Sequence, residues 1–305
     1  TAPIGLVNFV TPDGDRQVAL AAKALDLPFV LSTAGTTAIE TLAPALDGRL
    51  WFQLYMPRDR AVGDDLLARC TAAGVRVLML TVDVPGPARR DRDVRNGFAL
   101  PFRLDARNLL DFARHPRWSL GQLRHGAPRL ANWEPYARGR MSAPSLAALQ
   151  AQQIDPSLDW DDVARLRERW RGALVLKGVL HPDDAARAAA LGVDGIVVSN
   201  HGGRQLAASP APIECIAAVR SAVGTKVAVG LDSGLRSGTD VARALALGAD
   251  FCLLGRAPVY GAAAFGEPGA AHALRIVMDD LARVMMMLGA HTPAGLRDAA
   301  PKETR

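Results

Sequence analysis

The sequence predicts an α/β fold, a (β/α)8 barrel of the TIM type. Seven short apolar runs, at 28–32, 50–54, 75–81, 173–177, 195–199, 226–231 and 251–254, are mostly continuous rather than alternating, the pattern of parallel strands buried on both faces. Segments of helical character separate them, at 15–25, 60–73, 160–170, 182–191, 212–223, 238–247 and 270–288. The joint between helix and strand also repeats. Ala189-Ala190-Leu191-Gly192-Val193-Asp194-Gly195 is echoed by Ala246-Leu247-Gly248-Ala249-Asp250, each a helix end, a glycine cap and the start of a strand. A doubly wound open sheet is the alternative. All 305 residues read as a single barrel domain, 1–305, since α/β barrels of this length form one core.

Taken in order, Thr1-Ala2-Pro3-Ile4-Gly5 reads as the tail of the first of eight strands. The first strand is therefore expected to be truncated at the N-terminus, with the natural protein beginning before Thr1. The next three strands and their helices keep a regular pace until a long insertion follows the fourth strand, 75–81. This basic loop, 103–157, is punctuated by prolines and carries Trp118, Trp133 and Tyr136 among its arginines. Between 103 and 140, eight Arg face only Asp105, Asp111 and Glu134, an excess equal to the net charge of +5 on the whole chain. Aromatic rings beside cations suit an anionic membrane surface; a polar lid or a subunit contact fits the composition equally well. After the insertion the pace resumes through the last four strands.

Composition narrows the setting. With 49% hydrophobic and 22% charged residues the chain is an ordinary folded protein. Cys70, Cys215 and Cys252 are odd in number and widely spaced, which suggests neither a disulfide framework nor a zinc site and points to a reducing, cytoplasmic compartment. No run of eighteen apolar residues exists, and the histidines outside the motif below lack the partners of a metal site, so no metal is expected. Nucleic acid is not expected as a partner, because the basic residues belong to one insertion without a recognition motif.

In a (β/α)8 barrel the chemistry sits at the C-terminal strand ends. Here those ends are polar: Ser32 after the second strand, Gln53 and Tyr55 after the third, Thr81 and Asp83 after the fourth, Lys177 after the fifth, His201 and Arg204 after the sixth. One such residue is commonly a structural ion pair, whereas so many at successive ends point to one ligand site. Ser199-Asn200-His201-Gly202-Gly203-Arg204 sets a ring that titrates near neutrality three residues before a guanidinium fork, a pairing suited to proton abstraction beside a carboxylate. Asp232-Ser233-Gly234-Leu235-Arg236-Ser237-Gly238 and Leu254-Gly255-Arg256 carry the glycines and arginines of a barrel phosphate site. No Gly-x-Gly-x-x-Gly follows an early strand, so a mononucleotide fits better than a nicotinamide dinucleotide.

Several pieces together resemble the FMN-dependent 2-hydroxy acid dehydrogenases and oxidases, the family of glycolate oxidase, lactate dehydrogenase and mandelate dehydrogenase. They are Trp51-Phe52-Gln53-Leu54-Tyr55, Thr81-Val82-Asp83, Arg89-Arg90-Asp91-Arg92-Asp93, Lys177-Gly178, Ser199 through Gln205, Asp232-Ser233-Gly234, Arg236-Ser237-Gly238-Thr239-Asp240 and Ala244-Leu245-Ala246-Leu247-Gly248-Ala249. The resemblance covers nearly the whole chain. It implies FMN as cofactor and His201 as the base, with Asp83 stabilising its imidazolium; both a hydride and a carbanion route need that base. Arg90, Arg204 and Tyr55 are implied to hold the substrate, and Lys177 to lie near flavin N1 and O2. Ser32, Gln53, Thr81 and Ser199 would then contact the flavin, and Asp232, Gly234, Arg236, Gly255 and Arg256 its ribityl and phosphate side. Ala2, Pro3 and Ile4 match a turn that meets the flavin mainly through backbone groups, with Ile4 where the family has Thr.

Two details resemble the membrane-associated (S)-mandelate dehydrogenases. Ala34 stands where glycolate oxidases carry Trp, which leaves room for a phenyl ring, and the insertion resembles theirs through His115-Pro116-Arg117-Trp118-Ser119-Leu120 and Arg124-His125-Gly126. The resemblance implies oxidation of an (S)-2-hydroxy acid such as mandelate, a membrane quinone as electron acceptor, a peripheral site on the inner face of the cell membrane, and a homotetramer. An L-lactate dehydrogenase, an oxidase using oxygen, and a noncatalytic phosphate-binding barrel are the alternatives.

Overall fold

Seven strands pair in parallel in the order of the chain: β1 (Phe29–Ser32), β2 (Leu50–Leu54), β3 (Val77–Thr81), β4 (Ala173–Val179), β5 (Gly195–Val198), β6 (Ala228–Leu231) and β7 (Phe251–Cys252). The computed structural model describes residues 1–86, 88, 90–97, 105–126, 128–137 and 153–299. A doubly wound sheet would reverse strand order at its middle; this one never does. The Thr1 nitrogen donates to the Pro28 carbonyl and the Ala2 amide to the Leu254 carbonyl, each at 2.8 Å, so the first residues bridge the gap between β7 and β1. The barrel reading therefore stands, with residues 1–2 at the place of the remaining strand.

Side-chain parity divides the strands into two layers. Phe29, Leu31, Leu50, Phe52, Leu54, Leu78, Leu80, Leu174, Leu176, Ile196 and Val198 pack outward into the large core shared with the helices. Val30, Met79, Val175, Val197 and Leu253 form a separate cluster inside the barrel, joined by Ala2, Trp51, Val77 and Phe251. The rings of Trp51 and Phe251 meet edge to face at 6.1 Å. Gly230 makes room for this plug, because a Cβ there would lie 2.4 Å from the Phe251 ring.

The helices Gly14–Lys23, Arg60–Ala72, Trp160–Arg169, Pro182–Ala190, Pro212–Val223 and Gly238–Ala246 fall within two residues of their expected bounds. Their starts are chemically marked: Asp59, Asp159 and Ser237 side chains each accept a first-turn amide. The last helix departs from expectation. It spans Arg256–Met287, beginning well before residue 270, and is broken at Phe265 and Gly266. Gly261 and Gly269 let its two stretches touch, since a Cβ on either would lie under 2.5 Å from the other's carbonyl oxygen.

The insertion is also more regular than a loop. Its described part contains the helices Ala106–Arg114 and Pro116–His125, while 138–152 lie outside the described residues. The second helix is tied to the barrel by Trp118 Nε1, donating to the Phe9 carbonyl at 3.1 Å, and by Gln122, donating to the Asn8 carbonyl at 2.8 Å. At its far end the insertion rejoins through the Pro57–Ile154 bridge and Arg60, which pairs with Asp155 at 2.6 Å and Asp162 at 2.9 Å.

Candidate active site

The inward parity that places Val30, Trp51, Met79, Val175 and Val197 inside the barrel assigns the same face, two residues later, to Ser32, Gln53, Thr81, Lys177 and Ser199. All five are buried. Another two residues along are Tyr55, Asp83 and His201, which the structure brings together: His201 Nδ1 lies 3.0 Å from Asp83 Oδ1, and Nε2 lies 3.4 Å from the Tyr55 hydroxyl. Burial, then the Asp83 carboxylate, pushes the Tyr55 phenol up, and Arg90 opposes them. The phenol is therefore a neutral donor across the working pH range.

Backbone shape aims the histidine. His201, Gly202 and Gly203 all have positive φ, at 59°, 71° and 70°. Such a conformation is costly for a residue with a Cβ and must be held by its surroundings. The amides hold it: His201 N donates to Ser199 Oγ at 3.0 Å, Gly202 N to Ser233 Oγ at 2.8 Å, and Gly203 N to Asn200 Oδ1 at 3.1 Å. Ser199 Oγ also accepts from Lys177 Nζ at 3.0 Å, and Lys177 pairs with Asp232 at 3.2 Å. Ser233 donates to Asp232 Oδ1 at 2.8 Å and so closes the circuit. Both charges of the Lys177–Asp232 pair are almost fully buried, which in a protein interior calls for compensating partners of this kind.

Asp83 is seated against a β-bulge. Register shifts between Lys177 and Val179, and Gly178 at φ 104° presents a bare α-carbon to the aspartate. A Cβ at Gly178 would come within 2.6 Å of Asp83 Cβ and Cγ.

Three buried polar atoms at the barrel mouth, Gln53 Nε2, Thr81 Oγ1 and Asp83 Oδ2, have no hydrogen-bond partner among the described residues. An orphaned buried group costs roughly 1–3 kcal/mol unless a ligand satisfies it. The Gln53 carbonyl is occupied, accepting from Ser32 Oγ at 2.8 Å, so its amide is turned to donate elsewhere. An amide donor, a hydroxyl and the Lys177 cation on one floor fit the polar edge of an isoalloxazine. Residues that the sequence assigns to the phosphate side gather nearby: Gly255 faces Ile4 and Ala2, and the Arg256 guanidinium lies beside Gly202. Gly234 has φ 85°, Arg236 and Arg256 are exposed, and Pro3 is half-buried between Ala2 and Ile4.

Of the residues expected to meet the substrate, Arg204 donates from Nη2 to Asp93 Oδ2 at 3.2 Å. Arg90 is held below its ordinary value by partial burial and by the neighbouring Arg204 cation. Ala34 gives its amide to Ser32 Oγ at 3.1 Å and its carbonyl to the Leu6 amide at 2.9 Å. It packs with Leu6 and Val62 on a small cluster of Leu130 and Trp133. Trp133 is only 1% exposed, and Tyr136 donates to Asp65 and receives a hydrogen bond from Arg69. These rings belong to the protein's own packing, which corrects their reading as interfacial anchors. Among the described residues of the insertion, the large exposed apolar side chains are instead Leu109, Leu110, Leu120 and Leu123.

Thr33 is absent from the sequence reading, and Ser233 and Gly178 enter it only as members of motifs, without a role of their own. Thr33 is fully buried, donates to the Gln53 carbonyl and accepts the Tyr55 amide at 3.1 Å. Its place directly after a strand end was the available signal. Among the described residues no group of three or more His, Cys, Asp or Glu side chains could hold a metal ion, and no helix is long and apolar enough to cross a membrane.

Comparison with known proteins bears on this arrangement. The family model for FMN-dependent dehydrogenases matches residues 1–302. The L-lactate dehydrogenase of Pectobacterium atrosepticum is 40% identical over 97% of this chain and 76% of its own length. The (S)-mandelate dehydrogenase of Pseudomonas putida is 42% identical over 94% of this chain and 72% of its own. A crystal structure of the monotopic membrane protein (S)-mandelate dehydrogenase superposes with a TM-score of 0.90 at 42% identity, covering 96% of this chain and 78% of that one. The chain thus belongs to the FMN-dependent dehydrogenase family and is an FMN-dependent 2-hydroxy acid dehydrogenase.

Proposed function

We propose that the chain oxidises (S)-mandelate or a similar aromatic 2-hydroxy acid to the 2-oxo acid and passes the electrons to a membrane quinone. The observation that carries the chemistry is the His201–Asp83 contact at 3.0 Å, with Nε2 on the opposite side of the ring near Tyr55. Asp83 fixes the tautomer: with Nδ1–H directed to the carboxylate, Nε2 bears the lone pair that takes a proton. As that proton arrives, the carboxylate stabilises the imidazolium. Arg90 and Arg204 bind the substrate carboxylate, and Tyr55 donates a hydrogen bond that orients the substrate toward Nε2.

Ser32, Gln53, Thr81, Lys177 and Ser199 would hold FMN at the ring end, and Asp232, Gly234, Arg236, Gly255 and Arg256, with the Ala2–Pro3–Ile4 turn, along the ribityl phosphate. When bound, FMN supplies the two-electron acceptor. Lys177 sets a cation where negative charge builds, and Asp232 with Ser199 keeps its ammonium in place.

Ala34 and the mandelate dehydrogenase among the similar structures support the aromatic substrate. L-Lactate is the second reading, favoured by relatives of nearly equal identity. The membrane reading rests on Leu109, Leu110, Leu120 and Leu123, exposed beside Arg114, Arg117 and Arg124. Leucines with flanking cations form a surface that settles on anionic lipid. We infer on the same family grounds that the chain works as a homotetramer on the inner face of the cell membrane.

The decisive experiment is anaerobic reduction of the full-length flavoprotein by (S)-mandelate, L-lactate and glycolate in turn, followed by absorbance of the flavin. Mandelate should bleach it fastest. Bleaching by none would remove the reading, faster bleaching by lactate would transfer it to the second substrate, and rapid peroxide formation in air would exclude the quinone.

A further inference from the structure

Two guanidiniums do not stay together unaided. Arg90 lies close enough to Arg204 to be depressed by it, and Asp93 pulls the other way. Asp93 sits on the short helix Asp91–Arg95, three residues past Arg90, whereas Arg204 comes from the turn after β5. The Arg204–Asp93 bond therefore ties the segment carrying one arginine to the segment carrying the other.

The side chains of Arg204 and Asp93 are 45% and 29% exposed, so the pair adds little to folding stability. Its geometry is suited to another task. Among the described residues Arg204 engages Asp93 through Nη2 alone, and its other N–H donors are left for a carboxylate. An arginine fork serves well when its plane is fixed before the ligand arrives, because less side-chain freedom is lost on binding.

We propose that Asp93 is a positioning residue for the substrate: it braces Arg204 against Arg90, holding the two cations at the spacing that receives a 2-hydroxy acid carboxylate. This rests on the reading of Arg90 and Arg204 as the carboxylate clamp. Asp93 acts through the arginines and touches neither the reacting carbon nor the base. Its charge offsets the repulsion between them, and its position on the Arg90 segment sets their separation.

The test compares Asp93→Ala, Asp93→Asn and Asp93→Glu with the parent, as full-length holoenzymes of matched FMN content. Steady-state kinetics with the best 2-hydroxy acid are read together with oxalate affinity, measured from the flavin absorbance change. Asp93→Ala and Asp93→Asn should raise KM and the oxalate Kd by about fivefold, the most that one partly exposed charge pair supplies, with kcat within about threefold. Asp93→Glu should recover a substantial part of both. A KM and oxalate Kd within about twofold of the parent overturn the brace. A lower KM would do so as well, by making Asp93 a competitor of the substrate, and so would a fall in kcat alone. A parent that turns over no 2-hydroxy acid would overturn the clamp reading and the brace together, whereas a working parent with insensitive variants overturns the brace only.

Discussion

Replacing Gly178 by alanine should separate the His201–Asp83 pair while leaving Ser32, Gln53, Thr81 and Lys177 in place. The new Cβ would lie 2.6 Å from Asp83 Cβ and Cγ and 3.0 Å from its amide nitrogen. Non-bonded carbons rest about 3.5–4.0 Å apart, so Asp83 must retreat by about 1 Å. The His201–Asp83 distance of 3.0 Å then grows to about 4 Å, beyond hydrogen-bond range. A hydrogen bond to a charged group is worth about 1.5–3 kcal/mol, which predicts a fall of roughly 10- to 150-fold in the rate of flavin reduction. The backbone at φ 104° adds a stability loss of about 1–2 kcal/mol, visible as a lower Tm. Anaerobic stopped-flow reduction, at matched FMN content and saturating substrate, measures the rate directly. The loss should largely vanish when Gly178→Ala is added to Asp83→Ala, because the bond it breaks is already gone. Reduction within about twofold of the parent, or an undiminished loss in the Asp83→Ala background, would refute the reasoning.

Three further outcomes follow from the same geometry. Asp15 is fully buried beneath the 33–38 loop, accepts Thr36 N at 2.7 Å and Thr36 Oγ1 at 2.6 Å, and is pushed up to about 6 by burial. Its folded pKa is raised, so its contribution to stability is full below about pH 4 and is lost as pH rises through about 6. Denaturant titrations should thus show Asp15→Asn gaining on the parent by up to about 3 kcal/mol between pH 4 and pH 7, and a gap independent of pH would contradict this. Leu120→Asp combined with Leu123→Asp should cut sedimentation with anionic vesicles by at least tenfold, since each leucine buried in lipid contributes about 1.5–3 kcal/mol, and should leave dye-coupled turnover intact. Unchanged sedimentation would dismiss these leucines as the membrane contact. Ala34→Trp should lower kcat/KM for mandelate more than for lactate, because the added indole meets the Leu130 and Trp133 cluster or turns into the pocket; an equal loss on both substrates would count against Ala34 as a size filter.

Much of the site was legible because parallel strands advertise themselves. Continuous apolar runs located all seven, and the polar residues at or just past their ends were then candidates by position alone. The last helix was harder to read. Pro258, Gly261, Gly266, Pro268 and Gly269 interrupt its pattern, and nothing local discloses that Gly261 and Gly269 are spent on a contact between its two stretches. The insertion misled in a similar way. Trp133 and Tyr136 beside arginines describe a composition, and composition does not state which way a ring faces. Only the fold buries Trp133 against Ala34 and leaves the leucines outside.

By itself the sequence determined the barrel and the family, and it nominated His201, Asp83 and Arg204 as residue types just past strand ends and Arg90 through the family motif. The tertiary structure alone decided how they meet. Asp83 and His201 stand 118 positions apart, and their contact depends on a bulge at Gly178, a left-handed turn held by Ser199 and Ser233, and a Lys177–Asp232 pair beneath it. Side-chain parity explains the division: it is a local property that assigns a face, whereas a distance across the barrel exists only once all the strands have closed.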